Sequence, residues 1–464
     1  MIHRLTRGTI PDKPHTVHEV DGALTYEHCV TRAGFEALYT IQWHRRPPHW
    51  VQTEEDLGRH PGWAEAEWSG PLRRCHYLGL GQPAGGTPFL GRRLLFANAD
   101  IGLWLGGPGE GEPTLVANAD GDELSFVHEG SGRGECPLGT LPFREHDYVY
   151  VPQGMPHRFV LDRPALLFTI EARSALRVPK QYRTPEGQLA MYAPYTHHDF
   201  AAPEWPPGGP ESLAAPRRLI VQSGGMLTAF ELAHDPFDVV GWDGQLWPFA
   251  FPILAFQPKT GLVHLPPTIH TTFAGSGYVV CSFVPRMVDF HERAIPCPYP
   301  HSSPDCDEVL FYVDGNFSSR KGVGPASMTL HPRGLPHGPH PGRYEASIGT
   351  TRTDEVAVMI DTFAPLLPTR FARELERQLG VHAVDVQQVL GGLGLVDLFL
   401  AGDRHRQQHV ACTVAQLVDD VLVELLDAEQ LGGRHVGDLL DAGEAFLNQD
   451  GGDVLVHVEL LHEQ

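Results

Sequence analysis

Along residues 1–368 the apolar side chains come in short runs separated by Gly- and Pro-bearing turns. Many short strands of this kind close into an all-β sandwich or barrel. In a strand running from Glu308, residues 308, 310 and 312 share a face, so Leu310 and Tyr312 line whatever interior Glu308 enters. The longest apolar stretch, near Trp247 to Phe256, is broken by Pro248 and Pro252 and is too short to span a bilayer. After Pro368 the pattern changes. All 41 prolines lie at or before it, and runs such as VAQLVDDVLVELLDAEQL read as helical. Residues 369–464 also lack Ser, Ile, Lys, Met, Tyr and Trp, with Phe371, Phe399 and Phe446 as the only aromatics. Such a tail is either a helical appendage or a poorly ordered stretch that was never selected as a domain, such as a shifted reading frame. No chemistry is placed there.

The body of the chain repeats itself. DELSFVHEG, from Asp122 to Gly130, returns as DEVLFYVDG, from Asp307 to Gly315. PQGMPH, ending at His157, returns as PRGLPH, ending at His337. The offsets, 308 − 123 = 185 and 337 − 157 = 180, keep the order and differ only by one loop. Strand, turn, strand and a Pro-x-Gly turn ending in His, met twice, is the double cupin pattern of two small jelly-roll barrels. The expected division is a first half over 1–230, a second over 231–368 and the tail over 369–464.

A carboxylate entering a barrel interior needs compensation, and a metal supplies it. The second half offers His301, Glu308 and His337. Sliding by 185 sets Val116 opposite His301, so the first half offers only Glu123 and His157 and is expected to be metal-free. Two His and one carboxylate suit Fe(II) with open positions, although Mn and Zn accept the same donors. His331 and His340 flank His337, and the Pro-x-Gly-x-Pro-His match selects His337. His331 is expected to face the site beside a ligand or the substrate. His264, His270 and His291 read from the residues alone as surface or core histidines.

Composition narrows the partners. Lys+Arg 35 against Asp+Glu 57 gives a net charge of -22, which argues against nucleic acid or an anionic membrane. The seven cysteines form no Cys-x-x-Cys pair, so neither a disulfide scaffold nor a thiolate zinc site is expected. MIHRLTRGTIPDK has no apolar run after its basic residues and is not a secretory signal. A reducing cytoplasm is the expected compartment.

The stretch PYPHSSPDCDEVLFYVDGNFSSRKGVGPASMTLHPRGLPHGPHPG, Pro298 to Gly342, resembles the homogentisate 1,2-dioxygenase family in its bacterial form. GTIPDKPHT, VHEGSG, GTLPFREHDYVYVPQGMPHRF, DPFDVVGWDGQLWPFAF and FVPR extend the likeness over residues 3 to about 365. The resemblance implies an Fe(II) enzyme that inserts both atoms of O2 and opens homogentisate to maleylacetoacetate, in tyrosine and phenylalanine catabolism. It implies His301, Glu308 and His337 as iron ligands and His264 as the catalytic proton acceptor. It also implies substrate contacts at Phe317, His331, His337 and Tyr312, and a trimeric or hexameric assembly. Two departures stand out. The His301-to-Glu308 spacing is one residue longer than in the best-known members. The family's substrate-binding tyrosine is Phe317 here, which leaves gentisate or another hydroquinone open as substrate; a non-catalytic metal-binding bicupin is the alternative outside enzymes. Arg286 and Arg320 are candidate partners for a substrate carboxylate.

Overall fold

The computed structural model describes residues 3–68, 72–78, 85–206, 217–261, 268–317, 323–381, 445–450 and 453–458. Met1–Arg377 form one compact unit and Gln378–Gln464 a second. The first is a double cupin built almost wholly of antiparallel strands.

The first barrel is centred on the strand Asp122–Cys136, flanked by Asp147–Val151 and Arg158–Ala172, with Ile101–Gly106 and Arg93–Ala97 beyond. The second is centred on Asp307–Asp314, flanked by Ser327–His331 and Val356–Thr362, with Tyr278–Phe283 and Thr271–Gly275 beyond. The sequence repeat recurs as matched backbone geometry. Gly154 and Gly334 in the two Pro-x-Gly turns have φ of 76° and 75°, a left-handed conformation that glycine adopts without a Cβ penalty. In both turns the residue after glycine donates back to the first proline, Met155 to Pro152 and Leu335 to Pro332.

The barrels pack back to back. Alternation sends Leu124 and Phe126 of one central strand, and Val309, Phe311 and Val313 of the other, into a single apolar core. Phe168 and Phe311 stack there with centroids 4.7 Å apart and planes 4° from parallel. The halves also exchange strands. Cys75–Leu78 pairs with Ser327–His331 of the second barrel, while Phe249–Pro252 and Leu367–Pro368 pair with Asp147–Val151 and Arg93–Ala97 of the first. Each barrel is thereby closed partly by the other's chain.

The compact unit continues past the expected boundary at Pro368. Thr369 is fully buried, and a helix, Arg370–Val381, begins there with Ala372 and Leu375 in the core. In the second unit Ala445–Asp450 and Asp453–Val458 pair as antiparallel strands. The VAQLVDDVLVELLDAEQL run lies outside the described residues. No helix among the described residues is long and apolar enough to cross a membrane. No disulfide joins any of the six described cysteines.

Candidate metal centre

Glu308 sits between two neighbours in register, His331 on one adjoining strand and Asp361 on the other. His301 and His337 face each other across an isolated antiparallel bridge, each N–H donating to the other's carbonyl at 2.8 Å. Each ring is then aimed by the same device. Nδ1 of His301 bonds the Tyr299 carbonyl at 3.0 Å and Nδ1 of His337 the Leu335 carbonyl at 3.1 Å. A proton held at Nδ1 leaves the lone pair on Nε2.

Donor atoms of His301, Glu308 and His337 lie within 4.8 Å of one another, the only such His/Cys/Asp/Glu group among the described residues. His337 Nε2 is buried without a hydrogen-bond partner, 3.8 Å from Glu308 Oε1. A desolvated lone pair aimed at a carboxylate is what a divalent cation satisfies, so the donor set fits Fe(II), with Mn and Zn accepting the same atoms. His331 Nδ1 bonds Glu308 Oε1 at 2.5 Å, and its ring stacks on His337 at 4.7 Å. Burial pushes the Glu308 carboxyl up, but the His331 hydrogen bond and the fields of His331, His337 and His301 outweigh it and hold it below its ordinary range. Burial and the neighbouring Glu308 push Asp361 well up.

The first barrel repeats this frame without the third ligand. Val116 and His157 form the matching bridge, with N–H···O distances of 2.8 and 2.9 Å, so Val116 occupies the place of His301. His157 Nδ1 bonds the Met155 carbonyl at 3.0 Å, and its Nε2 lies 3.8 Å from Glu123. A cation is nevertheless present. The buried guanidinium of Arg92 is 2.6 Å from Glu123 and 3.8 Å from Glu171, which pairs with Glu123 as Asp361 does with Glu308. Burial works against the Glu123 charge and Arg92 outweighs it, whereas burial pushes Glu171 up. Nothing in the sequence near Glu123 announces Arg92, because the sheet, not the chain, brings them together.

Beside the triad lies a cavity of about 270 Å³. His301, Glu308, Leu310 and Tyr312 line it, so the face read from strand alternation is the face that forms the wall. Phe317 lines it too, edge-on to Tyr312 with centroids 4.7 Å apart. The Tyr312 hydroxyl is 3.0 Å from Thr329 Oγ1. Neither His331 nor His337 is among the residues lining it; His331 reaches the site through its bond to Glu308. Arg286 lines the cavity but is paired with Glu355 at 2.9 Å. Arg343 lines it as well, with a buried, unpartnered Nε, and was missed in the sequence because it stands outside both repeats. His264 and Arg320 lie outside the described residues.

Two barrels, one bearing a 2-His-1-carboxylate group beside a pocket, define a double cupin with a candidate metal centre. No protein-family model matches the chain. It is 34% identical over 383 residues to "Putative dioxygenase SSO1533" of Saccharolobus solfataricus, covering 81% of this chain and 97% of that protein. The chain belongs to that dioxygenase family. It is 25% identical over 290 residues to a homogentisate 1,2-dioxygenase of Rhizobium rhizogenes, covering 56% of this chain and 59% of the relative. The match thus spans little more than half of that enzyme. Among solved structures, oxalate decarboxylase from Bacillus subtilis matches with a TM-score of 0.29 and 12% identity, over 65% of this chain and 79% of that one. A cupin 2 conserved barrel domain protein from Leptotrichia buccalis gives 0.26 and 12%, over 64% and 92%. Likenesses so distant have no bearing on function.

Proposed function

We propose that the chain is an Fe(II)-dependent dioxygenase that opens the ring of homogentisate, or of a closely related substituted hydroquinone, with both atoms of O2 entering the product. The observation that carries this reading is the triad of His301, Glu308 and His337, two of whose members, His301 and Glu308, line the 270 Å³ cavity, in a chain of dioxygenase family. Bound at the triad, Fe(II) supplies a Lewis acid and a path for electrons between ring and oxygen. The chain's own residues do the rest. Leu310, Tyr312 and Phe317 offer an apolar wall for a ring, and a cavity of ~150 Å³ suffices for benzene, so substituents have room. Arg343, with its spare Nε, is the cation proposed for a substrate carboxylate, since Arg286 is already held by Glu355. His331 fixes the Glu308 carboxylate rather than touching the substrate. The role of His264 as proton acceptor rests on the family resemblance alone.

Phe317, where the resemblance expects tyrosine, supports gentisate or another hydroquinone as the second reading. The test is O2 uptake by Fe(II)-loaded protein with homogentisate, gentisate and hydroquinone. Turnover is expected with at least one of them, and Glu308→Ala should lose both iron and turnover. His157→Ala should keep its iron. Uptake with none of the three, or a Glu308→Ala variant that retains iron, overturns the reading.

A further inference from the structure

We infer that His270 is a specificity-determining residue of the cavity, hydrogen-bonding a ring hydroxyl of the substrate. The inference rests on the ring-cleaving function proposed above. His270 immediately precedes the strand Thr271–Gly275 and lines the same cavity as His301 and Glu308. Its backbone carbonyl accepts from Ser282 N at 2.9 Å and from Thr272 Oγ1 at 3.2 Å, so its position is held by the sheet. Its ring lies against Phe283 with centroids 4.4 Å apart and planes 32° from parallel. Arg286 also approaches Phe283, its guanidinium carbon 5.5 Å from that ring's centroid. The ring is thus fixed in place and orientation.

What Nδ1 of the ring lacks is a partner. His270 is 2% exposed and its Nδ1 is buried without a hydrogen bond. Buried polar groups are ordinarily satisfied, and one left open in the wall of a ligand cavity calls for a ligand group to meet it. Burial and the Arg286 charge push its pKa well below the ordinary value, so the ring is neutral and offers one donor and one acceptor. A hydroxyl, which can donate or accept, meets a ring nitrogen in either tautomer. Several other polar side chains of the wall are already engaged, Arg286 with Glu355, Arg352 with Asp354 and Ser347 with the Tyr344 carbonyl, while Arg343 is the cation proposed for the carboxylate. A site built to hydrogen-bond a substrate hydroxyl rejects the analogue that lacks it, because the protein group is left unpaired.

The experiment compares homogentisate with 2-hydroxyphenylacetate, which keeps the acidic side chain and one hydroxyl but lacks the second. Binding is measured by anaerobic calorimetry on Fe(II)-loaded protein. The wild type should prefer homogentisate by about tenfold, the scale of one hydrogen bond. In His270→Phe that preference should collapse toward unity, with iron content and thermal midpoint retained. His270→Met serves where Phe does not fold, and His270→Gln should restore part of the preference. A preference that survives in His270→Phe or His270→Met overturns the inference and leaves the proposed function standing. A wild type without the preference overturns it as well. A wild type that binds neither compound and consumes no O2 with any hydroquinone ends both.

Discussion

The second barrel differs from the first by single side chains on a shared frame. His301 against Val116 is the difference that sequence alignment of the repeat exposed, and the paired bridges bear out that alignment. Arg92 is the difference it did not expose. Its guanidinium stands against Glu123 through sheet geometry, 31 residues away along the chain (123 − 92). Phe317 was legible as a departure, and the structure places it in the cavity wall, 6% exposed and edge-on to Tyr312. Phe317→Tyr should therefore act on substrate and not on metal. A hydroxyl there returns at most one hydrogen bond, about 0.5–1.5 kcal/mol, which lowers the KM for homogentisate by up to about tenfold. Steady-state kinetics with iron determination checks it. An unchanged KM for every hydroquinone tried would show that position 317 does not meet substrate.

At the scale of elements, the repeat carries a further device. The aspartate before each glutamate clamps two loops. Asp307 accepts from the Arg333 N–H at 2.7 Å and the Leu366 N–H at 2.6 Å, and Asp122 accepts from Gln153 N–H at 2.9 Å and Leu176 N–H at 2.8 Å. Arg333 and Gln153 lie in the Pro-x-Gly turns that deliver His337 and His157. The strand–turn–His unit was readable from sequence because its parts are local; the clamp joins segments far apart and needed the fold. Asp307→Asn keeps the shape but turns one acceptor into a donor facing an N–H, a change costing about 1–3 kcal/mol. The turn before His337 should loosen, and Fe(II) should bind more weakly by about tenfold or more. Asp122→Asn is the control. It should lower the thermal midpoint to a similar degree and leave iron affinity unchanged. If Asp122→Asn also weakened iron binding, the loss would reflect general destabilisation and the positioning role of Asp307 would fail.

At the scale of the molecule, two properties follow from how deeply the barrels interlock. The first is sensitivity to acid. His60 is 1% exposed, with Nδ1 accepting from Gly62 N–H at 3.0 Å and Nε2 donating to the Phe89 carbonyl at 2.9 Å, an arrangement only a neutral ring can make. Burial lowers its pKa to about 4. His128, edge-on to Phe311 where the barrels meet, is likewise lowered to about 4 by burial. Unfolded histidine titrates near 6.5, so between about pH 6.5 and 4 the unfolded chain binds protons that the folded chain refuses. Stability is whole above that window and declines as pH falls through it, by up to about 3 kcal/mol for each ring. Urea unfolding at pH 7 and pH 5 should show the decline, and His60→Gln should flatten it. An equal slope in that variant would remove His60 from the account. The second property is where the chain can be cut. Proline usage pointed to Pro368, because strands separated by proline turns give way there to a helical pattern. That signal sees composition but not docking, and the first turns of the helix Arg370–Val381 belong to the core. Ala372 and Leu375 are buried, Arg373 donates to the Glu67 carbonyl at 3.1 Å, and Glu376 pairs with Arg73 at 2.8 Å, just before the strand that crosses to the second barrel. A chain ending at Arg377 should keep the soluble yield, iron content and kcat of the full chain. One ending at Arg370 loses the burial of Leu375, about 1.5–3 kcal/mol for that side chain alone, and should melt at a lower temperature. If the Arg377 chain lost iron or aggregated, residues 378–464 would be contributing to the active unit, and a double barrel complete without them would be the wrong description.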